Sequence, residues 1–500
     1  MNIKHIFSAL LVATMFLSSC EKPFDSLEQD PNRAVSAPPS LVLNGVLNNI
    51  YGSVTGSPWG AEQRWNQFYC SNYNYYSTNE YSWTTTGLTY ATLKNVIKME
   101  EEALKAGAAT VNPYSALGKF MRAYFFENMT KKVGDLPLNE ALLGLGNSAP
   151  KYNTQKEIYV QVLKWLDESN SELTTLIAAG NKTLAGDIYL GNDLRKWQKV
   201  VNSYKLRVLV SLSAKEADAD LKVKERFAEV LANPTKFPVQ ENADDNLQYI
   251  HNAVNKYSRN PDNLGNNATR ENMAKTYIDL LVARKDPRVF VVAEPAEAKL
   301  KAGFKATDYE AYVGASSGED LADMSTKALQ GEYSFLNRKR YYSNYVGEAV
   351  AILGYSETCF NIAEGIARGW ANGDANAYYT KGISTNMAFY GITDATTLAT
   401  YLSGSLVKFA GNNATGINQI ITQRYIAFAQ NSGMEAWFNQ RRTGVPVFLT
   451  GVGTGNQGVM PKRWQYPSSE LTTNGTNLTT ALKSQYSGND NINDLMWLLK

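Results

Sequence analysis

Three features of the 500-residue sequence predict an all-α fold. Apolar residues recur at three- and four-residue steps, strict apolar–polar alternation is scarce, and the intervening stretches are rich in Gly, Asn, Thr, Tyr and Pro. Tyr114, Leu117, Met121, Tyr124, Phe125 and Met129 mark a first long helix, and Val133-Gly134-Asp135-Leu136-Pro137 ends it. Thr154–Ile177 is a second, with Thr154 as N-cap and Glu157 three residues on, the capping-box pattern. Trp197, Val200, Val201, Tyr204, Val208 and Leu212 mark a third, and Glu271–Ala283 a fourth. Cys359, Ile362, Ala363, Ile366 and Trp370 mark a fifth, and Gln419–Arg442 holds at least one more. The helix pairs before residue 215 have lengths compatible with tetratricopeptide-like stacking, without that repeat's Trp-Leu-Gly-Tyr signature. Between the helices lie Pro58–Leu88, Asn233–Arg270, Val291–Tyr345 and Leu449–Leu478, long loops of the kind that carry function.

The amino terminus reads as an export signal. A short basic start precedes the apolar run Ile6–Leu17, too short for a spanning helix, which needs about 20 residues. Leu17-Ser18-Ser19-Cys20 resembles the bacterial lipoprotein processing box, in which the cysteine is acylated and cleavage falls before it. Several acyl chains give stable anchoring where one does not. Residues 1–19 are thus expected to be a signal peptide and Cys20 a lipid anchor. Residues 20–37, polar and proline-punctuated, are expected to be a tether that cannot fold alone, and 38–500 the folded body.

Apolar residues make up 44% and charged residues 19% of the chain, the balance of a globular protein with a large core. Removing Lys4 with the signal leaves 48 basic against 47 acidic residues, and no basic block argues for nucleic acid. Of two histidines only His251 lies beyond the signal, which disfavours a Ser-His-Asp triad or a multi-histidine zinc site; it reads as an ordinary histidine. No Asp-x-Asp-x-Asp-Gly loop points to calcium, and neither a metal nor a cofactor is expected. Cys70 and Cys359 read as free thiols rather than a pair.

Thirty tyrosines and nine tryptophans exceed what an aliphatic core uses. They concentrate in Trp65–Trp83, where rings alternate with Asn, Gln, Ser and Thr. Rings can cover the CH face of a sugar while amides and hydroxyls meet its rim. Trp65, Tyr73, Tyr75, Tyr76, Tyr81 and Trp83 are therefore ligand-surface candidates, each set against the alternative that it packs the loop onto the body. A second cluster, Tyr333, Tyr341, Tyr342 and Tyr345 around Arg338-Lys339-Arg340, adds Tyr341 and Tyr342. Arg441-Arg442 and Glu364 read as structural partners, and Trp437 and Arg441, four apart, can stack.

Several motifs carry a resemblance. The segment 356–369 ends in Ala363-Glu364-Gly365-Ile366-Ala367-Arg368-Gly369 and is followed by Tyr379-Thr380-Lys381-Gly382-Ile383. Trp437-Phe438-Asn439-Gln440-Arg441-Arg442-Thr443-Gly444-Val445-Pro446 and Arg463-Trp464-Gln465-Tyr466-Pro467-Ser468-Ser469-Glu470 come later. Asp30-Pro31-Asn32, Val133–Leu138 and Lys196–Arg207 precede them. In this order, after a lipoprotein box, they resemble the SusD/RagB lipoproteins of Bacteroidota, closest to the SusD-like 2 branch. The resemblance implies a SusD-like body of tetratricopeptide-like helix pairs with a loop-rich C-terminal portion. It also implies a non-enzymatic role at the outer membrane's outer face: binding an oligosaccharide or peptide for a SusC-like TonB-dependent transporter. The alternative is a surface-anchored helical glycosidase or lyase; the former needs two converging carboxylates about 5–10 Å apart.

Overall fold

The computed structural model describes residues 36–75 and 77–500. Cys20, the signal, most of the tether and Tyr76 lie outside the described residues. The chain folds as successive packed helices. Helix α1 (Pro39–Asn49) packs on α2 (Tyr90–Lys105), α2 on α3 (Pro113–Val133), α3 on α4 (Gln155–Ala178), and α4 on α5 (Leu194–Ser211). Helix α5 then contacts α6 (Val223–Ala232), and α7 (Lys275–Ala283) follows in the loop-rich part. Helices α8 (Tyr355–Ala367), α9 (Ala375–Phe389) and α10 (Ala414–Ala427) form a second packed group, joined to the first where α8 meets α5. Helices α11 (Glu435–Thr443) and α12 (Gly475–Tyr486) complete the main set. Among the described residues no helix is long and apolar enough to cross a membrane.

Local chemistry sets the helix boundaries. Asn112 caps α3 by accepting from the Tyr114 and Ser115 N–H groups at 2.9 and 3.1 Å, and Pro113 supplies a preset φ at the first position. Thr154 caps α4 with the expected reciprocal pair: its backbone N–H donates to Glu157 Oε2 at 2.7 Å. Gly365 on α8 is required by packing, since a Cβ there would fall 2.2 Å from the Phe227 ring of α6. One apolar core runs through the helices, and α3 is buried nearly all round, from Phe120 and Met121 to Glu127 and Lys131.

Among the described residues the sheet content is three short antiparallel pairs. Strand β1 (Tyr69–Ser71) pairs with β5 (Glu271–Met273) in the register Tyr69 to Met273, Cys70 to Asn272 and Ser71 to Glu271. Strand β2 (Leu136–Pro137) pairs with β3 (Tyr152–Asn153), and β4 (Leu247–Tyr249) with β6 (Val350–Leu353). One expectation needs correction. The segment 271–283 is not one helix: the backbone of 271–273 is taken by β1, Ala274 is extended, and α7 starts at Lys275. The segment 419–442 holds two helices, separated at 428–434 by the left-handed residues Gln430, Ser432 and Gly433.

Cys70 and Cys359 are free and buried, and burial pushes both thiols up to about 12, which keeps them inert. His251 is buried beside the stacked Tyr51–Tyr249 pair, with Tyr51 Oη 3.1 Å from its Nε2. Burial holds its pKa below the ordinary value.

Candidate ligand-binding surface

The loop leaving β1 is built to present its tip. Asn79 closes it: Ser71 N–H donates to Asn79 Oδ1 at 2.9 Å, and Asn79 Nδ2 donates back to the Ser71 carbonyl at 2.8 Å. Asn72 fastens the loop to the segment before β5, donating through Nδ2 to the Thr269 carbonyl at 3.0 Å and to Asn272 Oδ1 at 2.7 Å. Both amides are buried, so they hold the loop rather than face a ligand. Between these hooks Tyr73 and Tyr75 are 40% and 82% exposed. Their ring centroids lie 6.5 Å apart at 40°. The Arg270 guanidinium sits over the Tyr73 ring at 4.3 Å. Beneath, the buried Arg259 and Glu271 form an ion pair, with Arg259 Nε 2.8 Å from Oε2. The rim thus carries two exposed rings, a cation, and the exposed Asn74 and Thr78 side chains. That is the chemistry that covers an apolar sugar face and meets its hydroxyl edge.

The other predicted rings go elsewhere. Tyr81 is buried and donates its hydroxyl to the Trp65 carbonyl at 2.8 Å. Trp83 is buried and stacks on Trp464 at 3.8 Å, with Trp437 edge-on at 4.6 Å. Trp65 is half-buried; its Nε1 donates to the Glu80 carbonyl at 3.0 Å and its ring abuts Trp83 and Trp464. Tyr341 is buried edge-on to Trp59 at 4.8 Å, and Tyr342 is buried with its hydroxyl unpartnered. The expectation that Tyr81, Trp83, Tyr341 and Tyr342 face a ligand is thereby corrected: their faces are used in packing. The charges around the second cluster are also partly spoken for, Arg338 by Glu294 and Arg340 by Glu348. Sequence reasoning missed Arg270, which reaches Tyr73 only because β1 pairs with β5.

A family model described as starch-binding and associating with the outer membrane, SusD-like 2, matches residues 31–467. The chain belongs to this SusD-like family. A SusD homologue from Bacteroides fragilis is similar in structure, with a TM-score of 0.84 and 33% identity over 93% of this chain and 100% of the other. An outer-membrane protein from Bacteroides vulgatus, described as involved in nutrient binding, follows with TM-score 0.81 and 29% identity over 93% and 100%. A chitin-binding SusD homologue from Flavobacterium johnsoniae shares the fold at TM-score 0.73 and 20% identity, over 92% and 98%. No curated protein matches the sequence.

The motifs that mark this SusD-like chain are structural. Glu364 on α8 is buried and receives Arg424 at 2.6 Å, Arg442 at 2.7 Å and Arg368 at 2.8 Å. Burial alone pushes its carboxyl up, but Arg442, Arg424 and Arg368 together outweigh that and hold it well below the usual range. Arg441 stacks over Trp437 at 4.5 Å and donates to the Lys131 and Lys462 carbonyls at 2.6 and 2.7 Å. The Arg-Arg motif thus pins α11 to α8 and α3, and Trp464 of the later motif closes over the Trp83 loop.

Proposed function

We propose that this SusD-like protein is a non-enzymatic, lipid-anchored surface binder that captures an oligosaccharide at the Tyr73–Tyr75 rim. It passes the ligand to a SusC-like TonB-dependent transporter in the outer membrane. The observation that carries the reading is the pair of exposed rings on a loop locked by buried amides, with Arg270 stacked behind them. Preorganised rings lose little entropy on binding, which suits a site that must work without enclosing its ligand. Family membership supports carbohydrate or nutrient binding at the outer membrane. Cys20 as the acylated residue supplies the anchor, and a peptide ligand is the second class such a rim admits. The buried carboxylates support binding rather than hydrolysis, since Glu364, Glu357 and Glu271 are each held by arginine. The test is to incubate the purified protein with maltose-, cellulose-, xylan- and chitin-derived oligosaccharides, then measure affinity by calorimetry and products by chromatography. Saturable binding without product is expected. Cleavage that disappears on replacing one carboxylate overturns the reading in favour of a glycosidase.

A further inference from the structure

A cleft of about 690 Å³ opens between the β4–β6 pair, the first turn of α8, the last turns of α9 and the break after α10. That volume lies in the range of small-molecule sites. It shares no lining residue with the Tyr73–Tyr75 rim. Its charges nearly cancel. Glu241 shares Lys199 with buried Asp245, at 2.6 and 2.9 Å, Glu357 is paired with Arg207 at 2.5 Å, and exposed Asp244 is balanced by exposed Lys381, so one net negative charge remains. A strongly charged ligand gains little there.

The lining has unused hydrogen-bonding capacity in its depth. Asn386 is only 5% exposed; its Oδ1 accepts from Arg288 Nη1 at 2.6 Å, while its Nδ2 has no protein partner. Buried amide groups of native proteins are ordinarily satisfied, so an Nδ2 left open on a cleft wall is a ready donor for a ligand. Half-buried Gln248 adds a second amide: its Oε1 accepts from Asn246 Nδ2 at 3.2 Å and its Nε2 donates to nothing in the protein. The Thr385 hydroxyl is likewise without a protein partner, whereas the first N–H of α8, that of Tyr355, donates to Asn246 Oδ1 at 2.7 Å and is already used. Half-buried Tyr355 and Phe389 add flat apolar faces to these donors. Amide donors in the depth, aromatic faces on the walls and near-zero net charge fit a neutral, polyhydroxylated ring.

We propose that this cleft is a second saccharide site, sized for one or two neutral sugar units and independent of the tyrosine rim. The test is saturation-transfer NMR on the full chain with maltose, cellobiose and diacetylchitobiose, each at about 10 mM, a range that detects millimolar affinity. Ala388→Trp and Lys381→Trp fill the mouth from two exposed positions and leave the buried contacts alone; Tyr75→Ala removes a ring from the other site. Transfer to at least one disaccharide is expected. It should persist in Tyr75→Ala, and fall about tenfold or more when either blocking substitution is added to Tyr75→Ala, with melting unchanged. No transfer from any of the three sugars overturns the proposal, as does transfer that survives both blocking substitutions in that background. Loss in Tyr75→Ala alone assigns the signal to the rim and overturns it too. A tetralysine peptide that displaces the sugar from the cleft would contradict the neutral-ligand assignment.

Discussion

Tyr75 and Trp83 belong to one polar–aromatic stretch, yet one is 82% exposed and the other 1%. The stretch was legible as a place where rings gather, because its composition departs so far from an aliphatic core. Which rings point outward was not legible, because that depends on partners distant in sequence: Trp464 and Trp437 for Trp83, and Arg270 for Tyr73. The difference is measurable. Trp83→Ala removes a fully packed ring and should cost about 3–5 kcal/mol of stability, read as a sharp fall in Tm. An unchanged Tm would mean that the Trp83–Trp464 stack contributes nothing. Asp135 offers a second test. Burial pushes its carboxyl up to about 7, although the Gln155 N–H donates to Oδ1 at 2.7 Å and opposes the shift. A folded pKa above the unfolded one means that the folded state holds the proton more tightly. The group's contribution is therefore most favourable in acid and declines as pH rises from about 4 to about 7. Asp135→Asn keeps the acceptor and removes the titration. Its stability relative to the parent should improve between about pH 4 and about pH 8, by on the order of 1–4 kcal/mol. A gap that does not change with pH would contradict the burial account.

At the scale of elements, the helices with local signals were legible. The Thr154–Glu157 capping box and the Val133–Pro137 stop fall where the sequence places them. What was not legible was decided by tertiary pairing. Residues 271–273 have helical periodicity on paper, but β1 claims their backbone, and Glu271 and Asn272 are held by Arg259 and Asn72. The break after α10 uses left-handed Gln430, Ser432 and Gly433; Ser432-Gly433 is a turn signal, but left-handed Gln430 is not one the sequence announces. The buried Glu364 hub is the element-scale joint, since it ties α8 to α10 and α11 through Arg424 and Arg442. Removing one partner of a buried ion cluster leaves uncompensated charge, so Glu364→Gln should cost about 3–5 kcal/mol at neutral pH. Because its folded pKa is depressed, the stability it supplies is present above the unfolded carboxylate value near 4 and is lost as pH falls below that. The parent and Glu364→Gln should therefore converge in Tm in acid. A variant as stable as the parent at neutral pH would show that the arginines are satisfied elsewhere.

For the whole molecule, helical class and family follow from motifs spread over most of the chain, whose buried members such as Glu364, Trp437 and Arg441 serve packing. The ligand did not follow from them, because Glu364, Trp437, Arg441 and Trp464 are buried in packing and none of these lies on the rim. The proposed anchor residue is Cys20, outside the described residues. Cys20→Ala should abolish metabolic incorporation of labelled fatty acid and release the protein from the membrane fraction; retained label with unchanged fractionation would contradict lipidation at that residue. The central claim is capture of an oligosaccharide by the Tyr73–Tyr75 rim. It is tested most directly by calorimetric titration of the parent, Tyr73→Ala and Tyr75→Ala with an oligosaccharide that the parent binds. Each exposed ring is worth about 0.5–1.5 kcal/mol, so affinity should fall roughly two- to tenfold per substitution while Tm stays unchanged. Unaltered affinity in both variants would contradict the account and move the site off this rim.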